Sequence, residues 1–368
     1  MKRIVLLFGG DSCERDISII SGVQAYENID KEKYEVIPVY FYSSEFYRVF
    51  DMNVDSFISF DASKAEKIEF TKGGIRTRGI FGRKNEKVDA VFICAHGGNG
   101  ENGSLQGFFD ILCIPYTSSE VLASGVGMDK IATKYVVSSL GINTVEYVAI
   151  TSGNEIDYDK IEEKLGYPMI VKPSRLGSSI GIERVSSREA LVHAIELAFY
   201  YDNRVLIEKA LVGFDEYNCA AVKTDAGVLI GEIEKPSVKD NMLGFADKYL
   251  VSGKMNGGYR ELPANISEEL KKEIETATLR VYGALGMKGA VRIDYLYSEG
   301  TLYLNEVNTI PGSLAFYLFE SKGIPYGKLI DIMIDNALKE KERDRKLIKY
   351  YNSSVLNCVK TSANKLIK

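Results

Sequence analysis

The sequence predicts an α/β protein, with a doubly wound N-terminal α/β domain followed by a two-lobed α+β domain. Three observations carry that expectation. Continuous apolar runs end in glycine-rich loops at Gly9-Gly10 and at His96 to Gly103, as buried parallel strands do where they lead into helices. Helical stretches alternate with those runs, which places ligands at the carboxyl ends of the strands. From Met128 onward the pattern changes to short strands bracketing a Gly/Ser loop, with helices alongside.

Residues 4–10 form the first strand, Tyr34 to Phe41 the second, and Val88 to Ala95 the third. Residues 43–87 are polar and poorly periodic, and a small hairpin around Ile75 to Ile80 is the one element they suggest. A helix over Asp129 to Leu140 precedes a strand from Val145 to Ile150 and a helix around Ile156 to Leu165. The stretch MIVKPSRLGSSIGIERV (Met169 to Val185) sets a loop between two short strands. A helix over Arg188 to Tyr200 and a strand from Val205 to Leu211 follow. Strands at 217–222 and 228–234 lead to an irregular stretch from Pro236 to Pro263, long enough to read as a lid or binding loop. A helix over Glu268 to Leu285 and a hairpin from Gly289 to Gly312 complete this lobe. After Pro325 a last helix runs into Lys339 to Lys346, a solvated charged face. The resulting units are 1–120, 121–210 and 211–345, the last with a lid at 236–263, and a tail at 346–368 without an assignable role.

A chain of 368 residues exceeds one ordinary core and suggests two or three domains. Hydrophobic content of 45% and charged content of 26% belong to a soluble globular protein. The net charge of -5 argues against a nucleic-acid binder driven by phosphate neutralisation. No apolar run reaches membrane-span length, and the start, Lys2 to Phe8, is too short an imitation of a signal peptide. Five scattered cysteines lack metal-type spacing and suit the reducing cytoplasm; Cys94 and Cys113, in apolar runs, are expected to be buried thiols. Only His96 and His193 are available to a histidine-based site.

The hairpin carries the sharpest chemistry. Its two alternating apolar runs are joined by Ser298-Glu299-Gly300, and its far ends present Arg292, Asp294, Glu306 and Asn308. Arg292 and Asp294 are two apart, as are Glu306 and Asn308, so each pair shares a face. Two carboxylates and an amide make an all-oxygen cage suited to a phosphate-bridging Mg²⁺. A salt-bridged surface would explain Arg292 and Asp294 alone equally well. In Leu176 to Gly181 (LGSSIG), small residues let backbone N–H groups approach an anion; the loop alone reads more readily as a plain hairpin turn, and Lys172 on the strand just before it favours the anion. The strand end Glu208-Lys209-Ala210-Leu211 offers backbone groups to a purine edge, and Glu216 is near enough to reach a ribose. Standing alone, this segment reads as a strand end with ordinary charged residues, and Lys130, at the start of a helix, as a surface residue.

In combination, Lys130, MIVKPSRLGSSIG, LIEKAL, ADKYL (Ala246 to Leu250), VRID and NEVNTIPG resemble the ATP-grasp superfamily. With FGGDSCERDIS (Phe8 to Ser18), AHGGNGENGSLQG (Ala95 to Gly107) and IPYTSS (Ile114 to Ser119), the chain resembles the D-alanine–D-alanine ligases over roughly residues 1–340. The resemblance implies a two-lobed ATP-grasp domain and an acyl-phosphate route from ATP and D-alanine to a dipeptide. It implies that Glu14 receives the first ammonium, joined by Ser178 and Tyr249 in a triad that closes the lid, with His96 nearby. Lys130, Lys172, Ser178, Ser179, Glu208, Lys209, Leu211 and Glu216 would bind ATP, and Lys248 would reach its phosphates. Asp294, Glu306 and Asn308 would hold Mg²⁺ or Mn²⁺ as two ions, and Arg292, Gly312 and Ser313 would face the reacting centre. A cytoplasmic homodimer, without nucleic-acid or membrane partners, is implied as well.

One segment departs from the family. After Pro311-Gly312 its members continue with a Thr-containing turn and then a Ser-Leu pair that helps hold the second substrate's carboxylate. Here Ser313-Leu314 follows at once and leads to Tyr317, so either Ser313 takes over after a shortened turn or Tyr317 fills the space. Tyr249 implies an amino-acid acceptor rather than D-lactate. D-Serine or another acceptor remains an alternative, although no Arg stands at Leu314 or Leu318 to bind its hydroxyl.

Overall fold

Every side chain from Ile4 to Phe8 is fully buried, so strand β1 (Lys2–Gly9) needs a parallel partner on each side. It has them in β2 (Tyr34–Tyr42) and β7 (Ala90–Ile93). The computed structural model describes residues 1–79, 82–236, 260–348, 350–351 and 353–356. The helix Arg15–Asn28 packs on β1, and Gly22 is pressed so close to Phe8 that a Cβ would lie 2.6 Å from its ring. Ser18 straps the strand ends together: its Oγ accepts from the Gly9 N–H and donates to the Cys94 carbonyl.

The polar stretch after residue 42 extends this sheet. β3 (Glu45–Arg48), β4 (Glu66–Thr71), β5 (Gly74–Gly79) and β6 (Gly82–Lys87) add antiparallel strands, giving the order β6-β5-β4-β3-β2-β1-β7. The expected hairpin near Ile75 is therefore one part of a four-strand extension. Its sequence is polar because one face is solvated, and Phe46 and Phe70 give the other face to the aromatic cluster around Phe108 and Phe109. Cys113 corrects another expectation. It is exposed in a left-handed turn, whereas Cys94 is buried.

The middle sheet has the order β10-β9-β11-β8, formed by β8 (Tyr147–Thr151), β9 (Met169–Pro173), β10 (Glu183–Val185) and β11 (Arg204–Lys209). The helices Tyr158–Leu165 and Arg188–Tyr201 bury Ile161, Leu165, Leu191 and Ile195 against Met169, Val171, Val205 and Ile207. The third sheet, β14-β13-β12-β15-β16, contains β12 (Asp215–Thr224), β13 (Gly227–Pro236), β14 (Arg260–Glu261), β15 (Ala290–Ser298) and β16 (Thr301–Asn308). The helix Glu268–Ala284 covers one face with Ile274, Ala277 and Val281. The helix Tyr326–Asp344 joins the other face to the N-terminal core, where Ala220, Val222 and Ala290 meet Leu329, Ile330 and Met333.

Gly289 sits at the seam between the first and third sheets. Its φ is +71°, and a Cβ there would lie 2.3 Å from the Thr117 carbonyl oxygen. Gly289→Ala is expected to lower stability by roughly 1–3 kcal/mol through backbone strain and the collision, measured by urea denaturation.

Candidate active site

The hairpin β15–β16 turns through Glu299 and Gly300, both at positive φ, the backbone that a two-residue connection favours. Its register sets Asp294 opposite Glu306 and Arg292 opposite Asn308. Between Leu304 and Glu306 the register shifts by one residue, and Asn305 is the extra one. On the Leu302–Leu304 side the even-numbered residues face the core. Past the bulge Val307 takes over the core position, and Glu306 and Asn308 turn to the opposite face, where Arg292 and Asp294 also project.

Those side chains are paired. Arg292 donates to both oxygens of Asp294, from Nε at 2.7 Å and Nη2 at 2.8 Å, and Asn308 Nδ2 donates to Oδ2 at 3.0 Å. Burial works against the Arg292 charge, but Asp294 more than offsets it and holds the guanidinium above its ordinary pKa. Glu306 faces Lys130, whose Nζ lies 3.3 Å from Oε2 and donates to the Leu176 carbonyl at 2.8 Å. Lys130 is buried, not the surface residue its position at a helix start suggests. Asp129 caps that helix (Lys130–Ser139) by accepting from the Ile131 and Ala132 N–H groups. Ser174 anchors the cap by donating to Asp129, which also pairs with Arg204.

A cleft opens between the middle and third sheets. Its lining includes Lys172, Ser179, Glu208 to Leu211, Glu216, Asn305 and Glu306. Glu208 is buried between two lysines, with Lys134 at 2.5 Å from Oε1 and Lys172 at 2.5 Å from Oε2. Desolvation opposes its charge, yet the two lysines hold the carboxyl below its usual range. Lys134, only 1% exposed, is pulled below its ordinary pKa by burial despite Glu208. The sequence reading missed Lys134. One more lysine on a helix carries no local sign that a carboxylate from another sheet will bury it.

Across the cleft, Ser178 donates to Glu14 Oε1 at 2.5 Å, joining the Gly/Ser loop to the N-terminal domain. Ser178 and Ser179 hold positive φ, and a Cβ on Gly177 would lie 2.6 Å from Glu14 Oε2. His96 lies behind Glu14, and its carbonyl accepts from Ser12 Oγ, which also receives the Glu14 N–H. The imidazole Nδ1 donates to the Ile310 carbonyl at 2.7 Å, so Nε2 accepts from Ser21 Oγ at 2.7 Å. Ser21 in turn accepts the Ser313 N–H at 3.0 Å. Glu101 holds the same segment from the other side, accepting the N–H groups of Ile310 and Gly97 at 2.8 Å each. Burial, then the charge of Glu14, push the Glu101 carboxyl up to about 7. Ser21 and Glu101 also carry no sign of this role in the sequence, although Glu101 lies inside the Gly-rich loop His96 to Gly103.

Lys248, Tyr249 and residues 237–259 of the expected lid lie outside the described residues. Among the described residues no three His, Cys, Asp or Glu side chains converge enough to hold a metal ion by themselves.

Comparison with known proteins points to one family. Residues 3–119 match the family described as D-ala D-ala ligase N-terminus, and residues 136–335 match D-ala D-ala ligase C-terminus. The D-alanine–D-alanine ligase of Thermosipho melanesiensis is 37% identical over 95% of this chain and 96% of its own length. Among solved structures, the VanG D-Ala:D-Ser ligase of Enterococcus faecalis is similar with a TM-score of 0.78 and 31% identity, covering 91% of this chain and 99% of that one. The D-alanine–D-alanine ligase of Bacillus anthracis complexed with ATP is similar with a TM-score of 0.70 and 27% identity, covering 94% of this chain and 100% of that one.

Two measurements check the site's electrostatics. Burial pulls the His96 imidazole down to about 4, below the 6.5 of a free side chain. The unfolded chain therefore takes up this proton first on acidification, and about 3 kcal/mol of stability is lost as pH falls from the unfolded value through the folded one. Denaturation across this range should show a shallower acid slope for His96→Asn than for the parent chain. Lys134→Met, which leaves Glu208 with one lysine, should cost roughly 3 kcal/mol by the same assay.

Proposed function

This chain belongs to the D-alanine–D-alanine ligase family, and we infer that it is an ADP-forming ligase that joins two D-alanines into D-alanyl-D-alanine for peptidoglycan precursor synthesis. One observation carries the reading beyond the family match. The cleft wall that offers Glu208 to Leu211 and Glu216 ends at the row of Glu306, Asp294, Asn308 and Arg292. A nucleotide bound by the first group would reach the second with its phosphates.

The physical problem is that a carboxylate is a poor electrophile. Phosphorylating it with ATP supplies a leaving group, and that transfer needs positioning and charge neutralisation rather than covalent help. In this reading the backbone of Lys209 to Leu211 meets the purine edge and Glu216 the ribose. Ser178, Ser179, Lys130 and Lys172 meet the phosphates, with Lys248 reaching them from the lid. Use of ATP is supported by the family and by the ATP-complexed relative. Glu14 receives the first ammonium, and Ser178 and Tyr249 close over it. Arg292 and the backbone N–H of Gly312 face the carbonyl oxygen on which charge develops when the second amine attacks, beside Ser313, whose own N–H is held by Ser21 Oγ. His96 holds the Ile310 carbonyl, which sets the path of that backbone. Enclosure protects the acyl phosphate from water.

The donor set fits Mg²⁺ or Mn²⁺. Asp294, Glu306 and Asn308 offer oxygens from adjacent strands, too few to saturate an ion and well suited to one that also takes phosphate oxygens. Two such ions, when bound, would neutralise the phosphates and the developing charge. Asp294 and Glu306 already face cationic side chains, so both are set to meet positive charge.

Among the described residues no helix is long and apolar enough to cross a membrane. A cytoplasmic location and a homodimer are parts of the proposal supported by the family likeness. D-Serine as acceptor is not favoured, because the relative at 37% identity is a D-alanine–D-alanine ligase.

Incubation with ATP, Mg²⁺ and a mixture of D-amino acids should yield D-alanyl-D-alanine and ADP, identified by mass. ATP turnover without any D-alanine-containing dipeptide would sink the assignment. Glu306→Gln should lower Mg²⁺-dependent turnover by about a hundredfold or more with little change in Tm.

A further inference from the structure

The row that carries Glu306 and Asp294 does not stop there. It continues through Asn218 and Glu234, each opposite the next on successive strands, and Arg260, opposite Pro236 on the edge strand, extends the same face. Tyr317 closes over this end. Its hydroxyl donates to Glu234 Oε1 at 2.7 Å, and the Arg260 guanidinium lies 4.4 Å from its ring centroid. Asn218 Nδ2 donates to the same Glu234 oxygen at 3.0 Å. Glu234 is buried, yet Arg260 Nη1 comes only within 3.7 Å of its Oε2.

The guanidinium donates no hydrogen bond among the described residues and is 32% exposed. A stacked cation whose N–H fork donates to none of the described residues is a receptor for a carboxylate. Asn218 supplies a second sign of a ligand, since among the described residues its buried Oδ1 has no hydrogen-bond partner. An anion is wanted at one end of this floor and an N–H donor in its middle, and a free amino acid carries both.

The segment after Gly312 explains why a substitute receptor is needed. The Ser313 N–H is committed to Ser21 Oγ at 3.0 Å, and the Leu314 N–H to the Pro311 carbonyl at 2.7 Å. Neither N–H of this Ser-Leu pair is left for an incoming carboxylate. The same shortened turn delivers Tyr317 to Glu234.

We propose that Arg260 binds the carboxylate of the acceptor D-alanine, with Glu234 and Tyr317 as the positioning residues that aim its guanidinium. This rests on the ligase reading above. Arg260 determines which acceptors are used, because an amine without a neighbouring carboxylate forfeits the contact.

The test sets equimolar D-alanine and D-alaninamide in competition as acceptors on the full-length enzyme with ATP and Mg²⁺. Dipeptide and dipeptide amide are separated by mass. The parent enzyme should favour the free acid. Arg260→Gln should reduce that preference by roughly tenfold to a hundredfold, the range one charge-assisted pair supplies, and raise the acceptor KM by a similar factor. D-Alanine-dependent isotope exchange within ATP, which reports donor activation alone, should hold its parent rate. Arg260→Lys should recover part of the preference, and Tyr317→Phe should lose less of it than Arg260→Gln. An unchanged preference in Arg260→Gln, or equal loss of exchange and ligation, would overturn the assignment of Arg260 and leave the ligase standing. A parent enzyme that makes no dipeptide from D-alanine would remove the ligase reading itself.

Discussion

A single extra residue sets the geometry of the wall proposed to carry the chemistry. Strand side chains alternate with period two, so a regular hairpin with Leu302 and Leu304 in the core would also send Glu306 and Asn308 into it. The bulge at Asn305 reverses the phase. Leucines on one side and carboxylate and amide on the other can then satisfy opposite faces of the same strand. Asn305 Oδ1 also accepts from Lys172 Nζ at 3.3 Å, so the irregularity is tied to the neighbouring lobe. Alignment of Asp294 with Glu306, the cross-sheet row to Glu234 and the floor of the cleft all follow from that phase change.

The wall then has to keep its charges in a partly dry cleft. Each is met by a partner before any ligand arrives: Glu208 by Lys134 and Lys172, Asp294 by Arg292, Glu306 by Lys130. Buried ions are tolerated only when paired, and the pairing holds their positions. In the proposed function, a triphosphate with its metal ions would exchange partners with this set instead of desolvating isolated charges, which is how a site becomes preorganised. The N-terminal domain contributes a mechanical part. Ile310 is held by its N–H to Glu101 and by its carbonyl to His96, so the backbone leaving β16 is gripped on both sides.

Much of this was legible in the chain. The hairpin showed itself through period-two alternation around Ser298 to Gly300, and the Gly-rich loops through their position at strand ends. The phase change was legible too, since Leu302 and Leu304 are two apart whereas Val307 follows three later, but that break is easily taken for ordinary irregularity. Residues 43–87 were not placeable, because a half-solvated antiparallel extension needs few apolar residues and its partners are set by pairing, not by local pattern. Lys134, Ser21, Glu234 and Arg260 were invisible for another reason. Each owes its role to a partner on a different element, and nothing in the flanking sequence encodes that partner.

The turn after Gly312 carries a last implication. Ser313, Leu314 and Ala315 all adopt left-handed backbone without being glycine, which costs on the order of 1–2 kcal/mol apiece. Burial of Leu314 and Ala315 keeps them there. A glycine at Ser313 would relieve the tension and also let the backbone beside the proposed reacting centre wander. Selection for heat tolerance and selection for a rigid site would therefore pull this tripeptide in opposite directions.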